Sequence, residues 1–281
     1  MQQSNEWSRQ AERILANRHR PHFAPAREVL EIYQSHLEVV RGEFGKPTVL
    51  ILGATPELAD LALSYECRVY RVDSNQAMFA AARERQQFSD RSNETVVCSD
   101  WLDMGVIAGG TVDLVMGDAA VNQIPHTRMK ELFGELRRIT HPGSMLSLKQ
   151  IVMPDAKVSA FQFDNTVRAY RAGRITSTEF YKILRFYCFL GEAYDPRTRV
   201  LNAEKVFATI KTRYEAGVLS PDEFEFLYAR RGKLRHSVYT KTGQCKLFQD
   251  HLGDCRRVYP THSFVYENIY NMFLITVAAG E

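Results

Sequence analysis

The chain has 281 residues, 45% of them hydrophobic, and a formal net charge of +3; it is long enough for one full-sized core or two small ones, and so weak a charge singles out neither nucleic acid nor a membrane surface. No apolar run approaches the roughly 20 residues of a membrane span, and the opening Met-Gln-Gln-Ser-Asn-Glu-Trp lacks the apolar core of a secretion signal. The cysteines, Cys67, Cys98, Cys188, Cys245 and Cys255, form no Cys-x-x-Cys pair, which fits reduced thiols in a cytoplasmic protein and argues against a zinc site.

Residues 1–46 read as helical: 11–15 and 29–40 place apolar side chains at three- and four-residue spacing, with Pro21 and Pro25 breaking the pattern between them. The period then changes. Residues 48–52 are a short apolar run with the length and flanks of a buried strand, and 56–65 follow as a helix whose Pro56 suits the first turn. Strands are expected at 68–72, 95–98, 112–116 and 145–152, with helices at 76–87 and 127–139 and a turn at Pro142-Gly143. Such alternation predicts βαβ units, a parallel sheet and helices on both of its faces. From 155 to about 240 the pattern is helical again and rich in Arg, Tyr and Phe, with Ser220-Pro221-Asp222-Glu223 as one helix start. Two strands, 256–259 and 270–278, close the chain. The expected organisation is a helical cover over 1–46, an α/β core from 47–152 and 241–281, and an inserted helical subdomain at 153–240.

Val49-Leu-Ile-Leu-Gly-Ala-Thr-Pro-Glu57 opens like the first strand and turn of a nucleotide-binding domain. A dinucleotide fingerprint requires further glycines after Gly53, so that backbone can touch the pyrophosphate. Thr55 stands at the second of those places, and Pro56 removes an amide donor from the turn. Both changes disfavour NAD and FAD, and the Gly-Lys-Ser/Thr of a P-loop is missing. The turn still opens a helix whose amide-rich N-terminus favours a carboxylate. Asp73, at the end of the second strand, stands where doubly wound sheets commonly bind ribose hydroxyls. A ligand with a ribose and a carboxylate but no phosphate meets these conditions, and S-adenosylmethionine is one. The plainer reading is a strand–helix connection without a ligand, with Asp73 capping the helix from Gln76.

Several blocks in order resemble the class I S-adenosylmethionine-dependent methyltransferases: the stretch 49–57; Val69-Tyr-Arg-Val-Asp-Ser-Asn-Gln-Ala-Met78; Val97-Cys-Ser-Asp-Trp101; Val112-Asp-Leu-Val-Met-Gly-Asp118; and Leu136-Arg-Arg-Ile-Thr-His-Pro-Gly143. The resemblance covers 48–152, and the last strands are similar to the family's closing antiparallel hairpin. It implies a doubly wound, mostly parallel seven-stranded α/β sheet with an antiparallel last strand. It also implies S-adenosylmethionine as cofactor, held by Gly53, Ala54, Thr55, Pro56, Asp73, Ser74, Met78, Asp100, Trp101 and Gly117. Asp73 would take the ribose, Asp100 the adenine amino group, and Trp101 the side of the ring; Trp101 and Met78 could equally be core. The chain departs from the family at Ile51, where an acid usually stands near the cofactor's amino group, and at Thr55 and Glu57, which replace two glycines. The carbonyls of Gly53 or Gly117, together with Asp118, are then the candidates for holding the methionine end.

Methyl transfer is an in-line displacement, in which the protein aligns the reactants, excludes water and accepts a proton. Gly117-Asp-Ala-Ala-Val-Asn-Gln-Ile-Pro-His126 follows the fourth strand, where open α/β sheets bind ligands. Asp118 and His126 are the candidate general bases, and Asn122 a candidate substrate contact with Gln123 nearby. Against this, Asp118 could hold the turn, Asn122 could bond backbone, and His126 could cap the helix after it. The insertion carries Phe161, Phe163, Tyr170, Phe180, Tyr181, Phe186, Tyr187 and Phe189, some for its own core and others for an apolar pocket. Tyr170 and Arg168 are taken as substrate-binding, and Arg168 and Arg171 could pair with an anionic substrate or face solvent. Tyr33, with Trp7, is expected to close over the site from the N-terminal helices.

The expectation is a cytoplasmic methyltransferase, monomer or homodimer, acting on a small or medium organic acceptor, with no membrane and no nucleic-acid partner. The alternatives are a non-catalytic S-adenosylmethionine-binding regulatory protein, and an RNA methyltransferase using the basic run Arg230-Arg-Gly-Lys-Leu-Arg-His236. The Asn-Pro-Pro-Tyr motif of many base and amide methyltransferases is missing after strand four. A nicotinamide oxidoreductase is the third rival, opposed by the Thr55-Pro56 turn.

Overall fold

The computed structural model describes residues 2–16, 24–156, 162–259 and 263–279; Phe161, Pro21 and parts of the expected N-terminal and inserted helices fall outside them. Two helices lead, α1 (Gln2–Ala16) and α2 (Arg27–Phe44). The α/β core follows as β1 (Thr48–Leu52), α3 (Pro56–Ser64), β2 (Arg68–Asp73), α4 (Gln76–Arg83), β3 (Glu94–Cys98), β4 (Val112–Asp118), α5 (Met129–Ile139) and β5 (Thr140–Met153). Beyond it come α6 (Phe163–Arg171), α7 (Ser177–Ile183), a π-helical turn (Leu184–Cys188), α8 (Leu190–Ala193), β6 (Tyr194–Asp195), β7 (Val200–Asn202), α9 (Ala203–Glu215), α10 (Pro221–Tyr228) and β8 (Arg235–Ser237). The chain finishes with β9 (Tyr239–Thr240), α11 (Lys241–His251), β10 (Gly253–Val258), α12 (Phe264–Asn268) and β11 (Tyr270–Val277).

The sheet runs β10-β11-β5-β4-β1-β2-β3, with β9 appended to the end of β5. β1 pairs in parallel with both β2 and β4, so the chain leaves β1 in one direction through β2 and β3 and returns to build β4 and β5 on its other side. That reversal opens a crevice at the carboxyl ends of β1 and β4. β11 alone runs antiparallel, to β5 on one side and β10 on the other. This is the mostly parallel seven-stranded order with an antiparallel last strand that the sequence predicts.

β1 is buried on both faces. Leu50 and Leu52 pack with Phe133 and Leu136 of α5, while Val49 and Ile51 pack with Val29, Leu37 and Val40 of α2 and Leu58 of α3. Helices on both faces produce the uninterrupted apolar run by which a parallel strand is read from sequence. Ile51, in the family's acidic position, is fully buried among apolar neighbours. α4 ends four residues earlier than expected, because the Asp60 carboxylate of α3 accepts the backbone N–H groups of Gln87 and Phe88 at 2.7 and 3.1 Å. β5 begins earlier than expected, since the Pro142-Gly143 stretch continues it after an irregularity opposite β4.

The insertion has its own apolar cluster, in which Phe163, Phe180, Phe186, Phe189 and Phe207 join Leu184, Leu201 and Leu227. Full capping boxes start α7 (Thr176 with Glu179) and α10 (Ser220 with Glu223), each linking two orphan helix donors to side chains. The small antiparallel sheet β6-β7-β8 stands where helix was expected throughout; its strands of two or three residues are too short to show a period of two. No helix among the described residues is long and apolar enough to cross a membrane.

Gly253 starts β10 with φ of +146°, and a Cβ there would lie 2.2 Å from the Thr276 carbonyl oxygen and 2.6 Å from the Ala278 nitrogen. Both obstacles are backbone of the neighbouring strand and cannot swing away. Gly253→Ala is therefore expected to destabilise the protein by at least about 2 kcal/mol, read as a lowered midpoint in thermal or urea unfolding.

Candidate functional site

The crevice is built on Gly53, whose φ of +105° lets β1 turn into α3. Its N–H donates to the Val72 carbonyl at 2.8 Å, tying the turn to β2. Asp73 ends β2 beside it. One carboxylate oxygen accepts the Asn75 N–H at 2.8 Å, and the Ala54 N–H bonds the same carboxylate. Burial outweighs these bonds and pushes the Asp73 carboxyl up to about 6. Trp101, after β3, donates its indole N–H to the Val72 carbonyl at 2.6 Å. Its ring edge and the Asp73 Oδ2 lie 3.7 and 3.8 Å from where a Cβ on Gly53 would be. Gly53, Asp73 and Trp101 thus bound one small space at the carboxyl ends of three neighbouring strands.

Thr55 is the N-cap of α3 without a side-chain cap bond, and Pro56 fills the first turn. The role of Glu57 is not legible from the sequence. Its carboxyl accepts its own backbone N–H and pairs with Arg85 at 3.1 Å, so part of the N-terminal amide field of α3 is already answered by this chain's own acid. Burial, aided by the charges of Asp118 and Asp60, raises its pKa.

Ala54 is buried with Phe79 and Ala82, and Met78 packs against them. Ser74 is exposed. Asn75 caps α4 through the Met78 N–H and donates to Ser8 Oγ at 3.2 Å, which brings α1 against this end of the sheet. Asp100 is exposed at the rim, where one oxygen accepts the Leu102 N–H and the other stands 3.9 Å from Arg128.

β4 ends at Asp118, in register with Lys149 of β5, and the two side chains pair at 2.6 Å with about a tenth of each exposed. Asp118 Oδ2 is buried without a hydrogen-bond partner. The next residue, Ala119, holds φ at +55°, a left-handed conformation uncommon for residues other than glycine. Gly117 is a tight fit for any Cβ, which would sit against the Leu148 and Ala120 side chains at 3.2 and 3.3 Å. Its carbonyl accepts the Tyr33 hydroxyl at 2.8 Å.

Tyr33 is fully buried, and its hydroxyl also accepts the Lys149 N–H at 3.3 Å. Expected at the substrate, it instead underlies the crevice floor. Asn122 is likewise engaged by backbone: its amide donates to the carbonyls of Ile151 and Ser237 at 2.9 and 2.7 Å and accepts the Ile151 N–H at 2.8 Å. It joins the end of β5 to the insertion, as its plainer reading has it. His126 is hydrogen-bonded to the Tyr239 hydroxyl at 2.6 Å, and burial and Arg199 lower its pKa. Arg168 is exposed beside Asn165, Arg171 is held by Glu223 through two bonds of 2.8 Å, and Tyr170 stacks on Phe180 at 4.2 Å. The structure brings Gly53, Asp73 and Trp101 together; it puts Asp118 at the same edge but not Arg168 or Arg171.

In the basic run Arg231, Lys233 and Arg235 are exposed, while others are engaged by the protein. Arg230 lies over Phe226 at 4.0 Å, Arg231 donates to the Tyr228 carbonyl, Lys233 stands 3.6 Å from Glu204, and His236 is buried.

Comparison with known proteins agrees with this architecture. Residues 52–148 match the family model described as methyltransferase domain, a segment running from the end of β1 into β5. No curated protein matches the chain. Among solved structures, one chain of the complex between the Haloferax volcanii Trm112 methyltransferase activator and a methyltransferase is similar over 99% of this chain and 98% of its own, with 11% identity and a TM-score of 0.50. A Rhodobacter sphaeroides protein described among Zn-dependent alcohol dehydrogenases covers 96% of this chain and 98% of its own at 13% identity and a TM-score of 0.56. The PH0226 protein of Pyrococcus horikoshii OT3 covers 94% and 98% at 16% identity and a TM-score of 0.50. At such identities the likeness is one of fold.

Proposed function

We propose that this chain, which carries a methyltransferase domain at residues 52–148 on the fold of the class I S-adenosylmethionine-dependent methyltransferases, binds S-adenosylmethionine in the Gly53–Asp73–Trp101 crevice and methylates a small or medium organic acceptor. The observation that carries this reading is Asp73. Its bonds from the Asn75 and Ala54 N–H groups do not offset the burial that raises the carboxyl to about 6, and the paired hydroxyls of a ribose would add the donors its charged form needs. The side-chain-free surface of Gly53 and the indole edge of Trp101 bound a space suited to a nucleoside, while the missing glycines and the acid of Glu57 leave no cradle for a diphosphate.

The residues present fit this cofactor. Asp73 would hold the ribose and Trp101 would flank the adenine. Glu57, whose pKa burial and the nearby charge of Asp118 raise, would face the amino group that an acid at Ile51 serves in relatives. The cofactor, when bound, would supply an electrophilic methyl group for in-line transfer to the acceptor, with adenosylhomocysteine as the other product. Alignment and exclusion of water are left to the protein. α1, docked beside Asp73 through Ser8 and Asn75, covers one side of the crevice. Asp118 Oδ2, buried and free of partners, is placed to take the acceptor's proton; Lys149 holds the other oxygen.

Isothermal titration with adenosylhomocysteine and, separately, with NADH tests the reading. Adenosylhomocysteine is expected to bind in the micromolar range and NADH not to bind. NADH binding without adenosylhomocysteine binding would overturn it.

A further inference from the structure

Beneath the insertion lie three cations, the buried Arg185 and the partly buried Lys149 and Lys182, with fewer acids to pair with them. Lys149 has Asp118 as its partner. Lys182 of α7 and Arg185 of the π-helical turn have no carboxylate within ion-pair distance among the described residues; Asp118, Glu179 and Glu28 act on Lys182 only from further away. Arg185 is 7% exposed. Its guanidinium lies over Phe186 at 4.8 Å and Tyr181 at 5.6 Å. One of its N–H groups donates to the Tyr181 hydroxyl, and its Nε is buried with no acceptor. Lys182 Nζ is 5.1 Å from the ring centre of Tyr270, which Lys149 Nζ approaches to the same distance. Burial, reinforced by Lys149, lowers the Lys182 pKa.

A third donor completes the cluster. His236 is 4% exposed and meets Phe186 edge-on. Its Nδ1 stands 3.2 Å from the amide nitrogen of Gln123, which also bonds the Ala119 carbonyl. An amide nitrogen only donates, so His236 Nδ1 accepts and the proton sits on Nε2. That Nε2–H is buried without a partner. Burial beside Arg185 lowers the His236 pKa to about 3, so the ring stays neutral and keeps this arrangement. Two orphan donors and an unpaired ammonium in one low-dielectric place are an unfavourable arrangement for an empty protein and a favourable one around an anion. The Arg185 backbone is π-helical, a local geometry that recurs at functional sites because it is otherwise disfavoured.

We infer that Arg185, Lys182 and His236 form an anion-recognition site for the methyl acceptor, which is then an aromatic or otherwise apolar molecule bearing a carboxylate or phosphate. Its assignment to the acceptor rests on the methyltransferase reading above. The anion accepts from Arg185 Nε, which has no protein acceptor. The apolar body lies among Phe186, Tyr181 and Tyr270, and the nucleophile points toward Asp118, which Lys149 and Tyr270 join to this cluster. The guanidinium fork and the neighbouring ammonium suit either oxyanion.

Titration of the full-length protein with benzoate, phenyl phosphate and the uncharged benzyl alcohol tests the site, with adenosylhomocysteine as a separate arm. At least one of the two anions is expected to bind ten times or more tightly than the alcohol, and the stronger of them identifies the oxyanion. Arg185→Met and Lys182→Met are expected to weaken that anion at least tenfold and leave adenosylhomocysteine binding within twofold. Their thermal midpoints should match or exceed that of the unsubstituted protein, since Arg185→Met removes a buried charge and Lys182→Met a partly buried one, neither with an ion-pair partner among the described residues. Should either variant fold poorly, Arg185→Lys, which keeps the charge without the fork, must still weaken the anion. Anions that bind no better than the alcohol, or equally well to the variants, overturn the site even when adenosylhomocysteine binds. Anion binding without adenosylhomocysteine binding upholds the site and removes the methyltransferase reading.

Discussion

Replacing Asp73 with alanine is expected to weaken adenosylhomocysteine binding by about a hundredfold. Hydrogen bonds to a charged group contribute roughly 1.5–3 kcal/mol each, and loss of the pair made by two ribose hydroxyls removes about 3 kcal/mol, or two decades. The ligand-free protein should respond in the opposite sense. Its folded Asp73 carboxyl titrates at about 6 instead of 3.8, so the folded state holds a proton that the unfolded chain has already released. The associated stability is full below pH 3.8 and is lost as pH rises through about 6; at pH 7 the charged group costs on the order of 3 kcal/mol. Asp73→Asn, which keeps an acceptor for the Asn75 N–H, should therefore raise the thermal midpoint at pH 7 while weakening the ligand. If ligand binding needs the ionised acid, affinity should fall as pH drops below about 6, by up to tenfold per unit, and Asp73→Asn should lose that slope. Calorimetric titrations at pH 5 and 7 on both proteins read all of this. A pH-independent affinity would remove Asp73 from the ribose.

What was legible in the sequence was local. β1 reads as a buried strand because Val49, Leu50, Ile51 and Leu52 are buried on both faces. Asp73 reads as a ligand position because it ends a strand next to a Gly turn, and the structure adds that its other reading also holds in part: it bonds the turn at Asn75, although Asn75 itself is the cap. What was not legible depends on distant partners. Glu57 looks like a departure from a glycine motif until Arg85 is found beside it. Closure by the N-terminal helices is expected from topology, but the contact that brings α1 to this end of the sheet, Ser8 with Asn75, has no signal in either neighbourhood. Arg168, Arg171 and Arg185 are three arginines on helical stretches. Composition cannot rank them, and only packing shows one facing solvent, one held by Glu223 and one buried without an acid. Lys149 offered a signal, as a lysine flanked by Leu148 and Gln150 between the apolar pairs Met145-Leu146 and Ile151-Val152. A lysine there needs an acid in register across the sheet, and Asp118 is that acid.

That pair carries the second large expectation. Each side chain is about nine-tenths buried, so removing one member leaves the other charge uncompensated, at a cost of roughly 3–5 kcal/mol. Asp118→Ala should unfold at a markedly lower urea midpoint, and adding Lys149→Met should restore most of the loss. A single mutant as stable as the double would mean the pair is solvated and structurally idle. Asp118→Asn separates the structural task from the chemical one. Its amide preserves an acceptor for Lys149 but cannot take a proton, so adenosylhomocysteine should bind within a few-fold of normal. Turnover of an acceptor that must lose its proton should then fall by two to four decades, the usual range for a missing general base. An acceptor already deprotonated in solution should be spared. The same variant with two acceptors of different acidity therefore distinguishes a base from a residue that only shapes the crevice: a base gives a loss that grows with the acceptor's pKa, and a shaping residue gives one loss for both.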